Sequence, residues 1–386
     1  MLQSTILISM LSMFLTADSI AQKKQAHLIE WTVAGAIPAD KLQPSIGLAG
    51  PVNGIHHNVL IVAGGSNFPN GMPWNGGKKI YYSKGYVFSK QKNDQLKLLK
   101  SFQLPVSLAY AASCSIKEGV IVVGGENENG LSKEVFIMQW NETKKNIQII
   151  NLPQLPFAIT NAAVACIENT VYLVGGETES KASDKLLCLE LDNLSAGWKE
   201  LAPVPKPVSH AVFQPVISSG LNCIYLLGGR KKNKSGISDL YASVYQYDPG
   251  KNRWMEKPPL PYALSAGTGA MISTDKILLF GGDKGETFHQ TETLIAAINI
   301  EKDSAKKQIL NQQKIQLQTN HPGFSNEVLL YNPINGECKS IGVIPFDTPV
   351  TTTALKWGHQ VLIPCGEIKA GVRTPQILLG KIQKRR

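Results

Sequence analysis

The chain has 386 residues, 43% of them hydrophobic and only 18% charged, which suffices for a large buried core and is too apolar for a disordered polypeptide. Its formal net charge is +10, yet the lysines fall in scattered pairs such as Lys78-Lys79, Lys231-Lys232 and Lys306-Lys307, without the basic stripe interleaved with aromatics that a nucleic-acid surface needs. A positive field of this kind suits a small anionic ligand, while a solvated basic surface accounts for it more simply.

At the N-terminus an apolar run from Ile6 to Ala17 leads into small residues ending at Ala21. This has the form of a signal peptide over 1–21, although the usual basic residue before the apolar run is absent. The run is too short to span a bilayer comfortably. The mature chain, 22–386, is therefore expected to be exported, with no membrane segment after signal removal, and periplasmic in a Gram-negative source. Next, HLIEWTVAGAIP reads as a strand that no neighbouring segment claims.

A strand-like NVLIVA then runs into GGSNFPNGMPWNGGKK, Gly64 to Lys79. A glycine-rich loop after a strand suggests a phosphate cradle, but such a loop leads into a helix with Lys and Ser or Thr at a fixed offset. Here it leads into KKIYYSKGYVF, another strand. Its glycines instead let a long loop fold tightly over whatever lies beneath it.

Strand-like runs ending in a glycine pair recur along the chain: LIVAGG, VIVVGG, VYLVGG, IYLLGG and ILLFGG, with a sixth, VLIPCGE, in which Cys365 replaces the first glycine. Each follows an apolar-Pro pair, at Pro38, Pro105, Pro156, Pro205, Pro261 and Pro345. Six units at roughly fifty-residue spacing, each of short strands separated by turns, predict six antiparallel four-stranded blades. The fourth unit reads SHAVFQPVI, NCIYLLGG, SVYQYDP and RWMEKPPLP. Its glycine pair followed by Tyr245 and Trp254 resembles the kelch motif; Trp140 and Trp198 fill related places less regularly. The fold class is thus all-β, a six-bladed kelch-type β-propeller.

The fifth unit carries an insertion over 284–325. TETLIAAINIEKDSAKKQILNQQKIQLQ, rich in helix formers and free of Gly and Pro, predicts one or two helices, either a lid over the propeller mouth or a surface decoration. The last unit supplies three strands before the chain ends, so the N-terminal strand, with Trp31 and Ile37-Pro38 in the places of Trp254 and Leu260-Pro261, is expected to complete that blade and close the ring.

In an up-and-down blade the connections from second to third strand and from blade to blade open on one face, which carries both unusual connections and is the expected functional face. Glu126, Glu177 and Glu367 each follow a glycine pair or its equivalent. Turn polarity accounts for the first two. Glu367 lies in CGEIKAGVRT with Arg373 six residues on, a compact loop that fits either a surface ion pair or a pocket where the guanidinium grips a carboxylate and Glu367 moves a proton. Asn67, Phe68, Trp74 and one of Lys78 or Lys79 are candidate ligand contacts, the aromatics serving equally well as anchors of their own loop.

The GEIKAGVRT loop, the Gly64–Lys79 stretch with IYYSKGYVF after it, and the helical insertion before NEVLLYNP together resemble the kelch-repeat N-acetylneuraminate epimerases, the sialic acid mutarotases, and within them the circularly permuted members. That resemblance implies an isomerase that interconverts the α and β anomers of a small anionic sugar, N-acetylneuraminate, with Glu367 as proton acceptor, Arg373 beside it, and no metal or organic cofactor. Cys365 departs from the kelch pattern, while the Glu-to-Arg spacing is intact.

Two other classes fit a propeller. A non-catalytic kelch module binding a glycan or protein has no use for Glu367 and Arg373 together. A galactose-oxidase-like copper enzyme needs Tyr and His ligands and a Cys joined to one Tyr, and the seven histidines form no such constellation in sequence. The six cysteines stand singly among strand residues, without the spacing of a metal site, and read as small buried hydrophobes. Oligomeric state leaves no mark on the sequence.

Overall fold

A computed structural model describes residues 29–39, 45–218 and 221–383; the segment read as a signal peptide lies outside them. The regular structure of the described chain is β-strands apart from two α-helices and two short 3-10 turns, and its six four-stranded antiparallel sheets form a six-bladed β-propeller. Blade 1 runs Val52–His56, Val59–Ala63, Lys84–Lys90 and Leu96–Gln103 from the axis outward. Blades 2 to 5 repeat this plan around second strands Gly119–Val123, Thr170–Val174, Leu221–Leu227 and Lys276–Phe280. Blade 6 contains Leu355–Trp357, Gln360–Lys369 and Val372–Ile382, and Ile29–Ala36 pairs with the last of these as its outer strand. The N-terminal strand thus closes the ring and covers the edge it would otherwise leave open.

The second strands are continuous apolar runs because both their faces are covered. Every residue of Val59–Ala63 and of Gly119–Val123 is buried, as expected when sheets pack face to face on both sides. Among the described residues there is accordingly no single central core: six apolar clusters lie between neighbouring blades. Between blades 5 and 6, for example, Phe280 meets Trp31 edge-on at 5.6 Å, which ties the closing strand to the preceding blade. The repeated tryptophans do similar work. Trp254 and Trp198 each donate their indole N–H to a carbonyl of the blade before, at Ala202 and Pro153, both at 2.9 Å.

The glycine pairs have a specific steric cause. Gly175 lies in the left-handed region at φ 64°, and a Cβ there would sit 2.1 Å from the Val208 carbonyl oxygen of the next blade. The same oxygen accepts the Gly176 N–H at 2.8 Å. The pair is thus the hinge through which one blade is bonded to the next, and at Gly175 so close an approach leaves no room for a side chain.

A second set of contacts closes around the axis. Tyr110 N–H donates to Gly50, Asn161 to Tyr110, His210 to Asn161, Ala266 to His210, Thr351 to Ala266 and Gly50 to Thr351, at 2.8–3.1 Å. All six residues have positive φ between 52° and 63°, a strained choice for the five that carry side chains. The ring rims a narrow axial channel of about 130 Å³, lined below by the innermost strands, and fixes Tyr110, Asn161 and His210 at its mouth.

The insertion forms two helices, α1 (Glu286–Ile300) and α2 (Ser304–Thr319). Asp303 caps α2, accepting the N–H groups of Ala305 and Lys306 at 2.8 and 3.1 Å. His289 and Glu292 of α1 grip Ser238 in blade 4 at 2.7–2.9 Å. Gly323, beyond α2, returns beside Ile368 of blade 6. The insertion therefore reaches from blade 4 to blade 6 on the face that carries the glycine-pair connections.

Candidate active site

Six equivalent positions ring that face. The residue after each glycine pair, Ser66, Glu126, Glu177, Arg230, Asp283 and Glu367, forms an isolated antiparallel bridge with the loop entering its own blade, at Ala49, Ala109, Thr160, Ser209, Ser265 and Val350. The fold thus presents six side chains from one rim, and sequence alone decides their chemistry.

Glu367 and Arg373 meet, though not in the compact loop expected from the sequence. The strand continues past Gly366, so that Glu367 and Arg373 are direct partners across an extended hairpin ending at Lys369 and Val372. Cys365 at φ 56° and Gly366 at φ 117° bend the strand without ending the ladder. Arg373 Nη2 lies 3.0 Å from Glu367 Oε2, and Gly371 N–H donates to Oε1 at 3.0 Å. Burial pushes the Glu367 carboxyl above its ordinary value, against the opposing pull of Arg373, the Gly371 N–H, and the charges of Lys79 and Arg230. The outcome is a carboxylate that takes up a proton more readily than a surface glutamate.

Arg373 has only 3% of its side chain exposed, compared with 18% for Glu367. The Phe68 ring covers the guanidinium, 4.5 Å from its carbon, and among the described residues Nε and Nη1 find no hydrogen-bond partner. Two buried, unpaired cationic donors are costly and invite an anionic oxygen.

The Gly64–Lys79 loop is the cover of this hairpin. Besides Phe68 on Arg373, Trp74 and Met72 lie against the turn at Gly371, where a Cβ would come within 3.3 Å of the indole and 3.0 Å of the sulfur. Both loop aromatics therefore contact the hairpin. Asn67 is buried, and its amide nitrogen bonds the carbonyls of Ile46 and Gly47 at 2.5 and 2.8 Å while its oxygen accepts Phe68 N–H, so its polar atoms hold the loop itself. Of the two lysines, Lys78 points to solvent. Lys79 turns inward, 3.2 Å from Glu126 and 4.9 Å from the Tyr110 ring centroid.

A second polar cluster faces this hairpin across the mouth, built on Glu177, which the sequence reads as turn polarity, and on Arg230 and His210, which it does not single out. Glu177 accepts the Ser209 hydroxyl at 2.8 Å and lies 3.6 Å from His210 Nδ1 and 3.7 Å from Arg230 Nη2. Burial and the neighbouring Arg230 hold His210 well below its ordinary value, hence neutral. Arg230 is 22% exposed, has its Nε unpaired, and stacks under Phe288 of α1 at 4.9 Å. On the blade 2 side, Tyr81 donates to Glu126 at 2.8 Å. The signal that would have found Arg230 was present: it occupies the same place after its glycine pair as Glu367.

Among the described residues no group of three His, Cys, Asp or Glu is placed to hold a metal ion, and no helix is long and apolar enough to cross a membrane.

Comparison with known proteins agrees with this architecture. The family model for N-acetylneuraminate epimerase matches residues 12–147 and 152–386. A curated N-acetylneuraminate epimerase of Haemophilus influenzae is 31% identical over 231 residues, 59% of each chain. Those of Yersinia enterocolitica and Brucella melitensis are 30% and 28% identical, over 60% of this chain and 57% and 59% of their own. Each alignment thus spans about three fifths of the relative's length. By the extent of the family match, on a propeller whose rim brings Glu367 and Arg373 together, the chain belongs to the N-acetylneuraminate epimerase family.

Proposed function

We propose that the protein interconverts the α and β anomers of N-acetylneuraminate by acid/base opening and reclosure of the pyranose ring. The observation that carries this reading is the half-buried Glu367 carboxylate, held by Gly371 N–H and by an arginine that still has two unpaired donors among the described residues. Opening the ring requires removal of the proton from the anomeric hydroxyl as the bond between the anomeric carbon and the ring oxygen breaks. The ring oxygen then takes a proton. Glu367 accepts the first proton and, now neutral, delivers it to the ring oxygen; reclosure on the other face of the ketone reverses both transfers. Its raised affinity for protons suits both halves of that cycle, and such catalysis contributes roughly 10²–10⁴-fold.

Arg373 holds the Glu367 carboxylate in place and, once Phe68 swings aside, offers Nε and Nη1 to the substrate carboxylate. Lys79 and the more exposed Arg230 supply the positive field that draws an anionic sugar to the mouth. The Gly64–Lys79 loop and α1 close over that mouth as two lids from opposite sides. The same reading puts the enzyme outside the cytoplasm after cleavage near Ala21, which N-terminal sequencing of the mature protein tests.

The test of function is exchange between the two anomers of N-acetylneuraminate, followed by saturation-transfer NMR. Acceleration by wild type that disappears in Glu367→Gln supports the proposal. A well-folded wild type that leaves the exchange rate at its uncatalysed value sinks it and favours a propeller that only binds.

A further inference from the structure

The six cysteines stand apart in sequence, yet the fold brings two of them together. Cys114, in the innermost strand Ala112–Ile116 of blade 2, and Cys166, in the innermost strand Ala163–Ile167 of blade 3, have their sulfur atoms 2.8 Å apart. Both side chains are partly exposed.

The pairing follows from how neighbouring blades are tied near the axis. Successive residues of a strand face opposite neighbours. In blade 2, Ser113 and Ser115 face blade 1, accepting the N–H groups of Asn53 and Ile55 at 3.1 and 2.8 Å, so Cys114 between them faces blade 3. Polar side chains make comparable ties elsewhere. Gln214 bridges blades 4 and 5 through Gly269 and Met271 at 3.0 and 3.1 Å. Thr268 accepts Ala354 N–H at 2.6 Å between blades 5 and 6, and Asn53 reaches Thr352 at 2.9 Å between blades 1 and 6. At the boundary of blades 2 and 3 the corresponding contact is the cysteine pair.

We propose that Cys114 and Cys166 form a disulfide that staples blades 2 and 3, by exchange with a small disulfide such as oxidised glutathione. One thiol loses its proton, and the thiolate attacks the glutathione disulfide and releases one glutathione thiol. The second thiolate then displaces the other, so that one S–S bond forms, two protons leave and the two electrons reduce the oxidant. The cross-link joins positions 52 residues apart, a loop long enough for substantial restriction of the unfolded chain. The sulfurs lie four and five residues along their strands from the ring residues Tyr110 and Asn161, on the order of 13–16 Å from the mouth. The bond therefore acts on stability and leaves the rim chemistry alone.

The experiment is a thiol count on denatured wild type after incubation with oxidised or reduced glutathione, with peptide mapping of the oxidised sample. The expected result is a fall from six titratable thiols to four, a linked peptide pair containing Cys114 and Cys166, and a melting temperature several degrees above that of the reduced protein. Cys166→Ser and Cys114→Ser should each retain five thiols under either condition and lose the redox dependence of melting. Six thiols in the oxidised sample, or a linkage between any other pair, overturns the proposal. Anomer exchange by wild type, measured in both redox states, is expected to be equal, and a failure of that assay alone leaves the thiol count decisive.

Discussion

Blades 4 and 6 follow one plan and differ where the chemistry lies. In blade 4 the ladder between second and third strands ends at Leu227 and Val244, and a separate short hairpin sets Arg230 opposite Leu240. In blade 6 the ladder runs on through Cys365 and Gly366 and sets Glu367 opposite Arg373. Both rim residues keep the same bridge to the entering loop, at Ser209 and Val350. The repeat fixes the place of the side chain, and the extension of one hairpin turns a rim position into a paired, half-buried acid. A partly exposed cation stacked under Phe288 stands at the equivalent place across the mouth.

The sharpest way to break that contrast is Glu367→Gln, which keeps shape and removes the proposed proton acceptor. The expected loss in anomer exchange is about 10²–10⁴-fold, with unchanged circular dichroism. In wild type the carboxyl must be ionised to accept the first proton, and burial raises its value. Activity should therefore fall as pH drops through a value above the ordinary 4.5 for this group, rather than below it.

Arg373→Gln comes next, with a loss of roughly 10²-fold in kcat/KM, since a buried charge-assisted partner is removed. Arg373 opposes the effect of burial on Glu367, so its loss must move the acid limb of the pH–rate profile further up. A variant that loses rate with an unmoved profile would show that Arg373 only binds substrate.

The glycine pair of blade 4 gives a structural counterpart. A Cβ on Gly228, at φ 66°, would meet the Leu264 carbonyl at 2.3 Å, the oxygen that bonds Gly229 N–H. Gly228→Ala is expected to destabilise by about 2–3 kcal/mol, read from denaturant unfolding. On the functional side of the same blade, Arg230→Ala should raise KM about tenfold with little change in kcat, as loss of a partly exposed charge would. It should also let the His210 value rise, because Arg230 is one of the two causes that depress it; imidazole NMR titration reads this.

These contrasts also mark what was legible in the sequence. The six units, the closing strand at Ile29–Ala36, the two-helix insertion and the Glu367–Arg373 partnership all rest on local spacing, which the chain displays directly. Glu177 reads in the sequence as turn polarity, and nothing there joins it to Arg230 and His210, because their place across the mouth from blade 6 depends on ring closure between segments more than a hundred residues apart. Asn67 was picked as a ligand contact on its loop's composition, but nothing in the sequence tells that its amide faces its own chain at Ile46 and Gly47. The cysteine pair was hidden for a similar reason. Strand alternation assigns each a side, but the stagger between two blades comes only from their packing.

Cys365 supplies the finest test, and the smallest expected effect. It stands where the other five units have glycine, in the left-handed region at φ 56° and fully buried, with its sulfur 3.8 Å from the Pro375 carbonyl of the next strand. Cys365→Gly relieves a backbone strain of roughly 1 kcal/mol and leaves a small void of similar cost. The two nearly cancel, so the variant should unfold within about 1 kcal/mol of wild type, in contrast to Gly228→Ala. Its value lies in the active site: the side chain packs in the bend that carries Glu367 into the rim. If Cys365 is merely tolerated there, anomer exchange stays at the wild-type rate. If its bulk sets the bend, exchange falls at unchanged stability, and the departure from the repeat belongs to the Glu367–Arg373 hairpin's proposed role as much as Glu367 does.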